Sequence, residues 1–401
     1  MKTNEKDTKQ GIVPALRFPE FHGSKGWNLR PLSDYLTEYR QKSDGMSKVH
    51  SVSLSKGIVN QIEYLGRSFS ADDTSHYKLV KPYDVVYTKS PTGDFPYGIV
   101  KQNFNLYNVI VSPLYGVFTP NNRYIGYIIH SIFESAIRLN NYLSTLVQKG
   151  AKNTIQISND TFISKEILLP DNDDEQQKIA DCLSSIDALI KATENKIDEL
   201  KAHKKGLMQQ LFPAEGKMVP TLRFPEFQNA GEWKQTTIGA ICTISNGKSN
   251  VQDNVQNGKY PLFDRSEIIK ASNKFLFDCE AIIIPGEGRF IPKYYIGKFD
   301  LHQRAYALKD FTCHALFVYH YITAFSFILT QKAVKSTVLS LRMPILEAFP
   351  LLLPNIQEQQ KIADCLSSVD DLITAQANRL EALRSHKKGL MQQLFPNIDE
   401  C

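Results

Sequence analysis

Apolar residues recur in alternating four-then-three steps along two long stretches, residues 175–213 and 358–396. In the first, Ile179, Leu183, Ile186, Ile190, Ile197, Leu200, Leu207 and Leu211 trace one seam, with Thr193 and Lys204 at the remaining seam positions. In the second the seam is Ile362, Leu366, Val369, Ile373, Leu380, Leu383, Leu390 and Leu394, with Gln376 and Lys387 in the matching places. A seam repeating about every 3.5 residues keeps facing a partner helix, so each stretch predicts a coiled-coil strand. At about 1.5 Å per residue either helix would run roughly 55 Å, longer than one small domain needs. Gly206 and Gly389 cost roughly 1 kcal/mol of helix propensity each. They predict a close backbone approach, a local bend, or a tolerated position near a fraying end.

The two stretches are identical at 28 of 39 positions, so each seam suits the other. A second repeat precedes each half: VPALRFPEF at 13–21 and VPTLRFPEF at 219–227, with Trp27 and Trp233 each six residues further on. The regions between tag and helix read alike despite dissimilar sequence. In the first, strands are expected at 83–88 and 97–101 around a turn at 89–94, then an apolar segment at 108–118 and a helix at 124–146. In the second, 281–284, 285–289 and 294–298 give strand, turn and strand, followed by apolar 300–308 and a helix at 314–329. Both close on a short apolar run ending in proline, 167–170 and 351–354, before acidic or polar residues that suit a helix start. The expected division is an N-terminal segment with the first tag (1–21), a variable domain (22–170), a helical region (171–213), a linker with the second tag (214–227), a second variable domain (228–354) and a second helical region (355–401). The fold class is α+β (mixed), two α/β domains separated by two long helices.

Composition narrows the class. At 401 residues and 42% hydrophobic the chain is an ordinary globular protein of two or three domains. Its most apolar window, 314–329, is short and carries two histidines, so no membrane span is expected, and no leader sequence is recognisable. Six scattered cysteines without a C-x-x-C pair predict reduced thiols, a cytoplasmic location and no structural zinc. Residues 22–170 hold 16 Lys/Arg against 11 Asp/Glu and residues 228–354 hold 14 against 10, whereas each repeated helix is neutral. The positive surplus therefore lies in the variable regions, where it suits nucleic-acid contact, although a surplus this small is also common in proteins that bind nothing acidic.

Short strings suggestive of catalysis fail on context. Asp94-Phe95-Pro96-Tyr97 lacks the first proline of an amino-methyltransferase loop, and no F-x-G-x-G cofactor loop precedes it. Gly247-Lys248-Ser249 imitates the end of a phosphate loop, but Cys242 occupies the position of its first glycine. Pro170-Asp171 with Glu175 and Lys178 is better read as an acidic helix start. His203 and His386, single histidines beside lysines, read as surface or docking residues.

The alternation of two variable domains with two repeated helices, the E-Q-x-K-I-A helix openings at 175–180 and 358–363, and the KKGLMQQLFP repeats at 204–213 and 387–396 resemble the specificity subunits of Type I restriction-modification systems. The resemblance implies an intramolecular antiparallel coiled coil with pseudo-two-fold symmetry, each variable domain reading one half of a bipartite double-stranded DNA site. It implies a chain without catalytic, cofactor or metal residues of its own, docking two methyltransferase subunits and further restriction-translocase subunits. S-adenosylmethionine, ATP and magnesium would belong to those partners. Two readers on one duplex face need centres roughly 34–36 Å apart, which a rod of this length can supply. Candidate DNA contacts are Lys89, Thr92, Arg123, Lys149 and Lys152 in the first domain, and Lys248, Arg289, Lys293, Gln303, Arg304, Lys335 and Arg342 in the second. Two other readings remain in view: a chain that is itself a methyltransferase or nuclease, and a coiled-coil scaffold indifferent to DNA. Transfer of a labelled methyl group by the chain alone would favour the former, and salt-insensitive indifference to all DNA the latter.

Overall fold

The computed structural model describes residues 11–149, 155–334 and 338–396. The chain forms two compact units, one drawing on residues up to Ala192 and from Leu380 onward, the other on Thr193–Arg379. The division cuts both long helices. These run unbroken over Asp173–Leu211 and Ile356–Leu394, and each gives its opening part to one unit and its closing part to the other.

Both helices start on an asparagine cap. Asn172 Oδ1 accepts from the backbone N–H of Asp174 and Glu175, and Asn355 Oδ1 from that of Glu358, satisfying donors that a first turn leaves unpaired. Along the first helix Ile179, Leu183, Ile186, Ile197 and Leu211 are buried, and Ile190, Leu200 and Leu207 half-buried. Along the second Ile362, Leu366, Val369 and Leu394 are buried, and Ile373, Leu380, Leu383 and Leu390 half-buried. The close backbone approach considered for Gly206 and Gly389 is absent, because a Cβ added at either would meet nothing within 4 Å.

Within each unit the helix segments run in opposite directions. In the first, Ile179 and Leu183 share a core with Leu394 and Phe395, while further along Asp187 bonds Lys387 at 2.7 Å. In the second, Leu211 and Phe212 share a core with Ile362 and Leu366, while Lys204 reaches Asp370 at 2.6 Å. The repeat thus makes one polar crossing twice.

The tags account for the helix openings. Arg17 forms a two-pronged bond with Glu175 at 2.7 and 2.8 Å and also donates to the carbonyls of Ser24 and Lys25. Arg223 does the same with Glu358 at 2.7 Å, and with the carbonyls of Ala230 and Gly231. The backbone N–H of Leu16 donates to Gln393 and that of Leu222 to Gln210, so each tag also seats on the closing turn of a long helix. Trp27 and Trp233 are buried beside these joints; Trp27 Nε1 donates to Glu175, whereas Trp233 Nε1 has no partner among the described residues.

Four strands in each unit follow one antiparallel order. In the first it is Leu36–Glu38, Gly116–Pro120, Val85–Tyr87, Val100–Gln102. In the second it is Thr243–Asn246, Ala305–Lys309, Phe277–Pro285, Lys293–Leu301, extended by a parallel Tyr260–Phe263 and an antiparallel Lys270–Ser272. The proline-ended runs form strands Glu166–Leu168 and Pro350–Leu353, paired with Leu29–Pro31 and Lys234–Thr237. The helix expected at 124–146 is two, Arg123–Phe133 and Ala136–Ser144, because Ser135 leaves helical geometry and caps the second by accepting from the N–H of Arg138. The helix expected at 314–329 divides likewise into Ala315–Ala324 and Ser326–Lys332.

Candidate nucleic-acid interface

Phe277–Pro285 is the central strand of the second sheet, buried from Ala281 to Pro285 by alternating contacts on both faces. Where it ends, the chain turns through Gly286 and Gly288, and neighbouring loops gather against that turn. Gly286 N–H donates to the Arg304 carbonyl, Leu341 N–H to the Gly286 carbonyl, Gln303 N–H to the Ser249 carbonyl, and His302 N–H to the Phe263 carbonyl. Residues near 248, 265, 287, 303 and 341 therefore meet at one end of one sheet. Gly247 allows the approach, since a Cβ there would lie 2.1 Å from the Leu301 carbonyl oxygen.

Six of the sequence-derived candidates occupy this end. Lys248, Gln303 and Arg342 are exposed. Arg289 is exposed and paired with Glu267 at 3.3 Å. Arg304 pairs with Glu287, which Arg265 also approaches at 3.7 Å. Lys293 is half-buried, donates to the Ser266 carbonyl at 2.6 Å, and has its pKa lowered by burial. Lys335 lies outside the described residues. Between the loops is a cleft of about 510 Å³ whose walls include Gln303 and Arg304 together with Asn250, Gln252, Arg265 and His302, which sequence reasoning did not single out. Ser249, the end of the apparent phosphate loop, is buried with its hydroxyl donating to Asp300 at 2.7 Å. It is a structural serine.

The corresponding end of the first sheet follows Tyr87. Lys89 sits there at φ 60°, half-buried, its pKa lowered by burial and then by Lys78. Lys78 Nζ donates to the Tyr115 carbonyl at 2.6 Å, and Glu38, which pairs with Arg40, is the acidic group that acts on Lys89 from strand Leu36–Glu38. Thr92 closes the turn by exchanging backbone bonds with Phe95. Gly98, at φ 100°, lies against Lys89, where a Cβ would approach its nitrogen to 2.6 Å. Lys149 belongs to the short strand Gln148–Lys149, and Lys152 is outside the described residues.

Arg123 is elsewhere. It opens its helix beside the Asn122 cap, stacks on Tyr124, and lies near Tyr83, at the other end of strand Val85–Tyr87 from Lys89. The structure does not bring it together with Lys89 and Thr92. Of the missed residues, Asn250, Gln252 and His302 carried one local signal, the density of polar side chains in SNVQDN and HQRA, and Arg265 carried none.

A family model for the Type I restriction modification DNA specificity domain matches twice, at residues 52–202 and 230–384. Over 166 residues the chain is 29% identical to the Type I restriction enzyme EcoDI specificity subunit of Escherichia coli, covering 41% of this chain. The alignment spans 37% of the length of that relative. The fold is similar to that of a Type I restriction-modification S subunit from M. genitalium, with a TM-score of 0.65, 13% identity, and coverage of 96% of this chain and 100% of that one. A chain from a structure concerned with complex assembly and conformational transition of the type I R-M system gives a TM-score of 0.50 at 16% identity, covering 93% and 98%.

Proposed function

Because the chain belongs to the Type I restriction modification DNA specificity family, with the domain present twice, we propose that it is the DNA-recognition and assembly subunit of a Type I restriction-modification complex. Each variable domain reads one half of a bipartite double-stranded site, and the paired helices set the spacing. The observation that carries this is the common strand order of the two domains, joined to one pair of helices, with different loop chemistry at the equivalent sheet ends. Lysines at those ends fit phosphate positioning, and arginine and amide side chains fit base readout.

Two methyltransferase subunits dock on the helical repeats, and restriction-translocase subunits complete the assembly. Grooves of about 550 and 740 Å³, one within each unit, support the number two. They are lined by repeat-equivalent residues, Lys387, Lys388 and Met391 in one and Lys204, Lys205 and Met208 in the other. Catalysis, S-adenosylmethionine, ATP and magnesium belong to the partners, and the complex works in the cytoplasm.

The test is domain exchange followed by genome-wide mapping of methylated adenines. Replacing residues 228–354 with those of another member should change one half-site only, and inserting residues into one long helix should change the spacer. Unchanged motifs after both operations would overturn the proposal.

A further inference from the structure

The cleft at the end of the second sheet contains charged groups that already have partners and amides that do not. Asp264 accepts from Ser266 at 2.6 Å and from Lys270 at 2.6 Å, and Glu287 is held by Arg304 and Arg265. Neither carboxylate is left as a free base, so the cleft is poorly equipped for hydrolysis or proton abstraction. By contrast Asn250 and Gln303 bond to the protein through their backbone N–H groups, and no side-chain amide of Asn250, Gln252 or Gln303 has an intramolecular partner among the described residues. Amides elsewhere are put to structural use: Gln176 and Gln359 tie helix openings to Pro170 and Pro354, and Gln102 spans Tyr83 and Arg123. His302 Nδ1 accepts from the Arg304 N–H at 3.1 Å, which puts the ring proton on Nε2 and keeps the imidazole a neutral donor there.

We propose that this cleft is the base-reading site of the second domain, its free amides at Asn250, Gln252 and Gln303 selecting adenine and Arg304, braced by Glu287, selecting guanine. The inference rests on the DNA-recognition function above. An amide offers a donor and an acceptor in one plane and matches adenine N6 and N7, while a guanidinium matches guanine O6 and N7. An arginine already oriented by a carboxylate loses less side-chain freedom on engaging a base, and the pairing of Arg304 with Glu287 supplies that orientation. The amides come from two loops that the fold joins through the Gln303 N–H to Ser249 carbonyl bond, so they act as one surface.

The experiment uses the assembled complex and a panel of duplexes in which each base pair of the half-site assigned to residues 228–354 is replaced in turn. The triple variant Asn250→Ala, Gln252→Ala, Gln303→Ala should lose roughly 10- to 100-fold of its discrimination at an adenine position, and Arg304→Ala a similar factor at a guanine position. The other half-site should be read as before, and thermal unfolding should be unchanged because the substituted amides carry no internal bonds. A uniform fall in affinity without loss of discrimination would make these phosphate contacts and overturn the inference. So would full discrimination by both variants while the unaltered complex is selective. An unaltered complex that prefers no duplex would overturn the recognition function itself, and this inference with it.

Discussion

Arg17 and Glu175, 158 positions apart, meet in a two-pronged ion pair with side chains 4% and 2% exposed, and Arg223 and Glu358 form the same pair in the second unit. Removing one partner strands a buried charge. Arg17→Met or Glu175→Leu alone should each cost roughly 3–5 kcal/mol, while the double apolar replacement should cost less than the sum of the two, recovering part of the loss and leaving the Trp27 N–H and the Ser24 and Lys25 carbonyls without their partners. Chemical denaturation of the four proteins closes the cycle, and additive losses would contradict the assignment.

The two polar crossings are not equivalent. Lys204 meets Asp370 alone, whereas Lys387 is held by both Asp187 at 2.7 Å and Glu134 at 2.8 Å beside Lys101, with the acidic partners similarly exposed at the two sites. Lys387→Met, which loses two charged partners, should therefore destabilise by roughly 2 kcal/mol. Lys204→Met should cost about 1 kcal/mol. Equal shifts in denaturation midpoint would contradict this ordering.

Two buried histidines predict sensitivity to mild acid. Burial lowers the pKa of His130 to about 4, with Glu134 opposing and Lys101 and Lys387 assisting; burial lowers His320 to about 3, with Lys204 and His314 assisting. Both folded values lie below the ordinary 6.5, so the unfolded chain binds more protons between them. Stability should be full above about pH 6.5 and fall by up to roughly 1.4 kcal/mol per pH unit for each histidine as the pH drops through that window. Unfolding measured at pH 7 and pH 5 checks this, and His320→Asn should flatten the slope.

Gly206 and Gly389 sit inside long helices with open space where a Cβ would be. Alanine at either should raise stability by roughly 0.5–1 kcal/mol, read as a higher melting temperature. Gly98→Ala should do the opposite, because it combines a left-handed backbone with a clash against Lys89, and should weaken DNA binding through the first domain.

Periodicity and duplication made the long helices legible, since the seam is local in sequence and repeated. The role of the tags was not: nothing near Arg17 announces that its partner is Glu175. The division of the 124–146 helix was visible in principle at Ser135, a good cap, but continuous apolar spacing masked it. Lys248, Gln303 and Arg304 came from reading loops for polar character, and the sheet brought them together. Arg123 shared that character and went to the opposite strand end, because strand direction decides which loops are neighbours. Asn250, Gln252, Arg265 and His302 acquire their meaning only through pairing across the sheet.

The second unit is one uninterrupted stretch, Thr193–Arg379, whereas the first needs residues from Leu380 onward. During synthesis the second can therefore close as soon as it clears the ribosome. The first is completed only when Leu394 and Phe395 arrive to close the core beside Ile179, Leu183 and Trp27, and for that interval it leaves apolar surface open that the second has already buried.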